Sequence, residues 1–303
     1  MRIFITGSNG FLAQKFCELI KDEQLPYNVL GVSKSANRNI YLNDDEFVRL
    51  DLVDFEVLKQ EITKFKPTHI LHTAAVTAVE ACEEDKQYAD LINVALTEYL
   101  SQYAKDNNSH FTFISTDFVF DGTEGPYSEE DSTKAVNYYG QSKILAENAV
   151  LASGATAAIL RTILVYGAIP DRSRGNLVLW AKGQLEQNKP IKVVSDQWRM
   201  PTWVDDLAQA CLLAMNMHAK GIFHISGDEL MTIEESVYKI ADALSLKKEL
   251  ISPITAKELG QENNRPRMTG FNLKKSKIVL KYQPTPFVES LTYICDQLKR
   301  YGR

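Results

Sequence analysis

The chain has 303 residues, of which 45% are hydrophobic and 24% are charged, and its formal net charge is −5 at pH 7. This composition is typical of a packed globular protein with one large domain or two unequal domains. The mild negative charge and the lack of a long basic run argue against nucleic acid or an anionic membrane as a partner.

Two features bear on the compartment. No stretch approaches the roughly 20 apolar residues of a membrane-spanning helix, and the first apolar run begins directly after Met1. We therefore expect neither a leader nor an anchor, and a cytoplasmic location. Cys17, Cys82, Cys211 and Cys295 are scattered, which predicts neither a disulfide framework nor a metal site.

The first dozen residues have the pattern of a strand, a glycine turn and a helix start. A short apolar run over residues 2–5 leads into TGSNGFLA at residues 6–13. Gly7 can adopt the positive φ of a tight turn, and Gly10 has no Cβ to keep a phosphate away. The helix that begins near Phe11 offers free N–H groups. The pattern predicts a binding site for the diphosphate of a dinucleotide, with an ordinary glycine turn as the alternative.

The residues after the second strand, predicted over residues 27–32, bear on the choice of cofactor. A site that prefers NAD usually has a carboxylate here, which accepts hydrogen bonds from the ribose hydroxyls. This chain has Ser33, Lys34 and Arg38 instead, and no acid before Asp44. We therefore predict NADPH as the cofactor, with NADH as the alternative, and expect Ser33 and Lys34 to contact it.

Helices and strands alternate through the first half of the chain. The pattern predicts helices over residues 14–22, 55–66 and 77–107, and strands over residues 47–50, 69–73, 111–114 and 157–160. Such alternation predicts a doubly wound parallel sheet of the Rossmann type, whose ligands bind at the carboxyl ends of the strands. The glycine turn, residues 74–76 and residues 115–117 all fall at that edge.

A tyrosine and a lysine, four residues apart, open the helix after the fifth strand. Tyr139 and Lys143 therefore share one helical face. Because tyrosine has an ordinary pKa near ~10, we expect the lysine ammonium to lower the pKa of Tyr139 toward neutrality. Thr116, at the end of the fifth strand, can bring a second hydroxyl to the same substrate oxygen while hydride arrives from a nicotinamide. Tyr138 has Ser142 at the matching offset and is the weaker candidate.

Seven segments resemble the extended short-chain dehydrogenase/reductase superfamily and, within it, the dTDP-4-dehydrorhamnose reductase (RmlD-like) family. They are TGSNGFLA (6–13), HTAAVTAVEACEED (72–85), STDFVFDG (115–122), YYGQSK (138–143), RTILVYG (161–167), SDQWRMPTWVDDLA (195–208) and RPRMTGFNLKKSK (265–277). The glycine turn and the Tyr/Lys pair are common to the superfamily, whereas STDFVFDG and the DQ-x-x-x-PT stretch are specific to the family. The resemblance covers nearly the whole chain.

The resemblance implies reduction of a nucleotide-linked 4-keto-6-deoxy sugar, with Thr116, Tyr139 and Lys143 as the catalytic residues. It implies that the dinucleotide lies against Gly7, Asn9, Gly10, Phe11, Leu12, Asp51, Leu52, Ala74, Ala75 and Val76. We also expect Ser115, Tyr139 and Lys143 to contact the cofactor.

One departure from the family concerns the sugar site. The family commonly has a tryptophan near the sugar where this chain has Leu164. The change removes an apolar platform for the sugar, and Trp180, Trp198 or Trp203 are the candidates to replace it.

Beyond Gly167 the alternation breaks. We predict a Rossmann domain over residues 1–167 and a smaller, mainly substrate-binding lobe over residues 168–303, with residues near 195–227 returning to the first domain. The predicted elements are helices over 177–187, 204–217, 274–280 and 287–300, with further helix up to residue 250, and strands over 191–194 and 222–225.

Substrate contacts are expected from both parts of the chain. Arg265 is the best candidate to bind a diphosphate, because its planar fork suits paired anionic oxygens; Arg199, Arg267 and Lys182 are weaker candidates. The remaining predicted contacts are Thr116, Asp117, Leu164, Trp198 and Asn176, the last in a polar loop over residues 171–176 that either meets the diphosphate or is solvated.

Three other functions compete with reduction. A dehydratase on this scaffold needs an acid after Asp117, where this chain has Phe118. An epimerase keeps NAD tightly bound. The lack of an acid after strand two disfavours NAD and therefore disfavours an epimerase. A non-catalytic regulatory subunit, like the β subunit of methionine adenosyltransferase, has no need of an intact Thr116, Tyr139 and Lys143. A homodimer remains open.

Overall fold

The computed structural model describes residues 1–262 and 264–303. Its strands are β1 (Arg2–Thr6), β2 (Asn28–Ser33), β3 (Phe47–Arg49), β4 (His69–His72), β5 (His110–Thr116), β6 (Ala157–Thr162), β7 (Val165–Tyr166), β8 (Ile191–Val194), β9 (Trp198–Arg199), β10 (Thr202–Trp203), β11 (Gly221–Ile225), β12 (Met231–Thr232), β13 (Ile251–Ile254) and β14 (Met268–Thr269).

Its α-helices are α1 (Phe11–Asp22), α2 (Phe55–Phe65), α3 (Val79–Glu84), α4 (Lys86–Asp90), α5 (Leu96–Asp106), α6 (Tyr138–Ser153), α7 (Leu177–Glu186), α8 (Val204–Asn216), α9 (Ile233–Ala243), α10 (Lys274–Val279) and α11 (Phe287–Arg300). Single 3-10 turns lie at Asp44–Glu46, Asp117–Val119 and Lys248–Leu250, and a π-helical turn lies at Leu91–Ala95.

The central sheet has seven strands within residues 1–262 and 264–303, in the order β11-β6-β5-β4-β1-β2-β3. Every neighbouring pair is parallel. The strand order reverses between β1 and β4, which is the point where a doubly wound sheet opens a ligand crevice. The predicted Rossmann-type sheet is confirmed.

Helices cover both faces of this sheet, because alternate residues of each strand point to opposite faces. In β1, Ile3 belongs to a core shared with Phe16 of α1 and Leu207 of α8. Phe4 belongs to the opposite core, which includes Leu58 of α2. This double burial explains why the central strands are continuous apolar runs.

A smaller lobe follows β6 and has its own core. Its buried residues come mainly from α7, α9 and α11 and include Val178, Val237, Ile240 and Leu291. The chain then returns to the sheet, since α8 packs against α1 and β11 pairs with β6. The lobe therefore lies beside the carboxyl ends of the strands.

The structure divides one predicted helix and contains six strands that were not predicted, namely β7, β9, β10, β12, β13 and β14. The helix predicted over residues 77–107 is divided, because the side chain of Asp85 accepts a hydrogen bond from Tyr88 N at 2.9 Å and starts α4; a short acid favours such a cap over the helix interior. The four residues of β13 include Pro253 and only one fully buried side chain, Ile251, so they show no strand periodicity.

No helix in the described part of the chain combines the length and apolar character that a membrane crossing requires.

Candidate active site

The glycine turn after β1 packs directly on the segment after β4. Gly7 has φ +70°, and a Cβ at this position would lie 3.0 Å from the Cα of Ala74. Gly10 N donates to Gly7 O at 2.6 Å, which closes the turn. Only glycine combines this backbone conformation with this close approach.

The turn forms one end of a cleft of about 820 Å³. Most of the predicted cofactor contacts line it: Gly7, Asn9, Gly10, Phe11, Leu12, Ser33, Lys34, Asp51, Leu52, Ala74, Ala75 and Val76. The other predicted contacts, Ser115, Tyr139 and Lys143, line the neighbouring cavity instead. Arg38, Arg49 and Arg174 also line the cleft and were not predicted to do so.

Asn9 organises the loop after β2. Its side chain accepts from Arg38 N at 2.8 Å and donates to Ala36 O at 2.8 Å, and its backbone N donates to the buried Ser33 hydroxyl at 3.1 Å. Lys34 pairs with Asp51 at 2.9 Å. The glycine turn and the loop after β2 are thus held together as one wall of the cleft.

Asn93, in the π-helical turn, is a positioning residue that the sequence reasoning missed. It accepts from Val76 N at 2.8 Å and donates to Val76 O at 3.0 Å and to the Ser142 hydroxyl at 2.9 Å. It therefore fixes both the segment after β4 and helix α6. The sequence feature that could have revealed this residue is an asparagine inside an apolar helical stretch. Such a polar residue indicates a break in the regular helix, and π turns are frequent at functional sites.

A second cavity, of about 610 Å³, adjoins the cleft. The two share wall residues, among them Thr73, Ala75 and Thr162. The predicted catalytic and substrate residues that line the second cavity are Thr116, Asp117, Tyr139, Lys143, Leu164 and Arg265, and we call it the substrate cavity.

The start of α6 aims Tyr139 at the end of β5. Asn137 caps the helix by accepting from Gly140 N at 2.8 Å. Gly140 allows the helix to approach closely, because a Cβ there would lie 2.1 Å from Phe118 O. The Phe118 ring then meets Tyr139 edge to face at 5.9 Å.

The predicted effect of Lys143 on Tyr139 is wrong. Burial raises the pKa of the Tyr139 phenol well above its ordinary value; a hydrogen bond with Thr116 opposes the shift, and the Asp117 carboxyl adds to it. Lys143 is itself buried, donates to Ile114 O at 2.7 Å and lies 4.0 Å from the centre of the Phe113 ring. Burial lowers the pKa of its ammonium to about 7, so desolvation outweighs the attraction between unlike charges.

The floor beneath Lys143 is a buried ion pair. Glu147, one turn along α6, binds Arg161 through two contacts of 2.9 and 2.7 Å and accepts from Ser115 at 2.5 Å. Its charge opposes the fall in the pKa of Lys143. The Ser115 hydroxyl is therefore hydrogen-bonded to Glu147 at the floor of the cavity.

Asp117 connects the two parts of the chain. Its carboxyl accepts from Thr269 of β14 at 2.5 Å and from Thr116 at 3.1 Å, and it lies 3.8 Å from the buried Arg199 guanidinium. Burial raises its pKa despite the nearby Arg199. Its polar atoms are occupied by the protein, so Asp117 positions Thr116 and the lobe; the expectation of a direct substrate contact is not supported.

Arg265 reaches across the mouth of the substrate cavity. It forms an ion pair with Glu80 of α3 at 2.9 Å. Of the weaker candidates, Arg199 also lines the cavity but donates to Pro266 O at 2.7 Å. Lys182 pairs with Glu186 along α7.

Two predicted substrate residues lie elsewhere. Among the described residues, neither Asn176 nor Trp198 lines either cavity. Asn176 caps α7 by accepting from Leu179 N at 3.3 Å and donates to Gly167 O at 2.9 Å. Trp198 packs against the Arg267 guanidinium at 5.2 Å. Capping and stacking use those side chains, and their contact with substrate stays an untested prediction.

None of the three tryptophans replaces the missing ring, as far as the described residues show. Trp180 is 41% exposed on α7, and Trp203 is buried against Tyr293. Leu164 lines the substrate cavity with φ +41°, a backbone conformation that bulky residues rarely adopt.

The sheet order, the cleft at its switch point and the Thr–Tyr–Lys set beside that cleft define an extended short-chain dehydrogenase/reductase. The profile of the RmlD substrate binding domain family matches residues 1–300. The chain belongs to this family, as its sequence motifs indicated.

Known proteins resemble this chain over most of its length. Methionine adenosyltransferase 2 subunit beta of Xenopus tropicalis is 33% identical over 292 residues, covering 94% of this chain and 84% of the relative. Spore coat polysaccharide biosynthesis protein SpsK of Bacillus subtilis (strain 168) is 28% identical over 266 residues, covering 88% of this chain and 87% of the relative. The solved dTDP-4-dehydrorhamnose reductase ortholog of Clostridium acetobutylicum superposes with a TM-score of 0.86 at 26% identity, covering 99% of this chain and 100% of that one.

Proposed function

We propose that this chain is an NAD(P)H-dependent reductase of a nucleotide-linked 4-keto-6-deoxy sugar. Its family and the similarity to a solved dTDP-4-dehydrorhamnose reductase support an oxidoreductase with a nicotinamide cofactor. The observation that carries the proposal is that Thr116, Tyr139 and Lys143 line one cavity, which shares a wall with the dinucleotide-sized cleft.

The residues of the cleft fit a dinucleotide. The close packing of Gly7 and the absence of a Cβ at Gly10 leave backbone at the point where a diphosphate would approach. When bound there, a reduced nicotinamide supplies hydride. The small residues Ala74 and Ala75 allow a ring to lie beside the shared wall.

The chain supplies the proton. The Tyr139 phenol carries its proton at neutral pH, as an ordinary tyrosine does, and donates it to a carbonyl oxygen that gains charge; its raised pKa opposes this transfer. The Thr116 hydroxyl stabilises the same oxygen. The Lys143 ammonium does not lower the pKa of Tyr139, so its proposed role is to place a positive charge in the same cavity as the carbonyl oxygen.

The epimerase alternative is disfavoured by the residues after β2, which include no acid before Asp44 to hold the ribose of a retained NAD. The dehydratase alternative lacks its acid, since Phe118 follows Asp117 and packs on Tyr139.

We propose NADPH as the preferred cofactor and NADH as the alternative. Arg38 and Arg49 line the cleft beyond β2. In the described chain, the one carboxylate that lines this cleft is Asp51, which is paired with Lys34. Cation-rich surroundings favour a 2′-phosphate, and titrations with the two cofactors measure the preference.

We propose that the sugar nucleotide binds between the lobes, with Leu164 near the sugar and Arg265 at its diphosphate. Arg265 would exchange the Glu80 carboxylate for the phosphates, a replacement of one anionic partner by another.

The test is the Tyr139→Phe variant, assayed by NADPH oxidation with a panel of nucleotide-linked 4-keto sugars. Loss of the proton donor should lower kcat by about 10²- to 10⁴-fold while NADPH still binds. Tyr138→Phe is the matched control, because the Tyr138 hydroxyl donates to Asp90 at 2.7 Å on the outer side of α6. Equal activity of Tyr139→Phe and the wild type would refute the proposed chemistry.

A regulatory subunit is the second candidate function. It is favoured by the 33% identity to a methionine adenosyltransferase subunit beta and by Leu164 in place of the family tryptophan. If the wild type binds NADPH but reduces no sugar of the panel, this candidate replaces the reductase.

A further inference from the structure

The loop between β7 and α7 lies against the wall of the cofactor cleft that the glycine turn and the loop after β2 form. We call residues 169–174 the strap loop. Asp171 Oδ2 lies 3.4 Å from both Arg38 Nε and Gln14 Nε2, and Arg174 Nη2 donates to Asn9 O at 3.4 Å. The strap loop therefore spans from the glycine turn to the loop after β2.

Arg174 has unused donor capacity at this point. Its side chain lines the cleft, and its buried Nε has no hydrogen-bond partner within residues 1–262 and 264–303. Its contact with Asn9 O is long for a hydrogen bond. Arg174 is half-buried, and a buried N–H such as its Nε is costly to leave without an acceptor. The neighbouring glycine turn is where the diphosphate is proposed to bind.

The strap loop is also tied on its outer side. Arg303 Nη1 donates to Ile169 O at 2.8 Å, and Arg172 Nη2 donates to Gly302 O at 2.7 Å. These two bonds join the loop to the residues that follow α11. Arg174 is thus held over the cleft from a segment distant in sequence.

We propose that Arg174 binds the diphosphate of the dinucleotide and that the strap loop thereby retains the cofactor. This inference rests on the proposed function only in requiring that a nicotinamide dinucleotide binds in the cleft. A guanidinium matches paired phosphate oxygens with two N–H groups. Asp171 contacts Arg38 in the same arrangement, so the strap loop is fixed to the cleft wall beside the proposed diphosphate position.

The test is Arg174→Gln, with binding of NADPH and NADH measured by calorimetry or by nicotinamide fluorescence. Loss of a charge-assisted contact to the shared diphosphate should raise the Kd of both cofactors by a similar factor, about tenfold or more. Adenosine 2′-monophosphate, which has no diphosphate, should bind the variant and the wild type equally. Lys182→Gln removes the same charge from α7, outside both cavities, and should change nothing.

Each other result has one meaning. A rise in Kd confined to NADPH would place Arg174 at the 2′-phosphate. Unchanged Kd values would mean that Arg174 only donates a hydrogen bond to Asn9. Either result overturns the inference and leaves the reductase proposal unaffected. Failure of the wild type to bind either cofactor overturns both. If Arg174→Gln does not fold, Arg174→Lys, which keeps the charge but loses the fork, should still weaken both cofactors alike, and unchanged Kd values for it would overturn the inference.

Discussion

The cofactor cleft and the substrate cavity adjoin each other but are built in different ways. The cleft is formed largely by backbone and small residues at the ends of β1, β2 and β4, with Gly7, Ala74 and Ala75 at its centre. The substrate cavity is formed by larger side chains from two lobes, among them Tyr139 and Arg265. The first depends on local conformation, and the second depends on contacts between segments far apart in sequence.

This difference bears on how the two sites tolerate change. Within the cleft, a single added methyl group meets backbone that cannot move, as at Gly7. In the cavity, polar side chains form a connected set through Asp117, Thr116 and Thr269. Changes in the cleft should therefore affect dinucleotide binding, and changes in the cavity should affect turnover.

The largest expected effect is that of Lys143→Met. Methionine keeps much of the volume of the buried side chain but removes its positive charge from the cavity, so kcat should fall by about 10²- to 10³-fold. The Kd of NADPH should change little, because Lys143 lines the substrate cavity. Steady-state NADPH oxidation and a parallel binding titration measure both quantities.

Lys134→Met is the control for this change, since Lys134 is an exposed lysine that pairs with Asp121. A variant at Lys143 that kept its kcat at saturating NADPH but bound NADPH much more weakly would reverse the division between the two sites.

Gly7→Ala should have the next largest effect. Alanine at φ +70° costs about 1–2 kcal/mol, and its Cβ would press on Ala74, so the Kd of the dinucleotide should rise at least about tenfold as the turn shifts. Gly154→Ala is matched, because Gly154 has φ +71° at the end of α6 and a Cβ there would meet nothing closer than 3.9 Å. Equal Kd values for both variants, measured by titration, would show that the turn does not shape the cleft.

Much of the cleft could be predicted from the sequence because its parts are short, contiguous segments at strand ends. TGSNGFLA and the residues after β4 need only the strand order to be brought together. The same order placed Thr116 beside Tyr139, since β5 ends directly under α6. The sheet itself followed from alternation of strands and helices, which is a local pattern.

The remaining features of the site depend on tertiary contacts, which leave no pattern in the local sequence. Asn176 is polar and follows the predicted loop, yet its side chain caps a helix. The pKa shift of Tyr139 was predicted from spacing alone and that of Lys143 was not predicted, whereas burial decides both. Phe118 packs on Tyr139, and Phe113 packs on Lys143. Arg174 could not be placed, because the strap loop reaches the glycine turn across 165 positions of the chain.

The smallest expected effect is that of Thr269→Val, which tests the contact between the lobes. Valine fills the same volume but leaves the buried Asp117 oxygen without its donor, which should lower the free energy of unfolding by about 1–3 kcal/mol. Thr116 would lose part of its support, so KM for the sugar should rise by less than about tenfold, while the Kd of NADPH stays unchanged.

Thr123→Val is the matched control, because Thr123 donates to Asp121 at 2.7 Å in an exposed turn, and surface changes of this kind cost no more than about 0.5 kcal/mol. Denaturant unfolding and sugar kinetics of both variants measure the difference; equal stability losses at the two threonines would mean that the Asp117–Thr269 contact does not join the lobes, and the substrate cavity would then be as local in origin as the cleft.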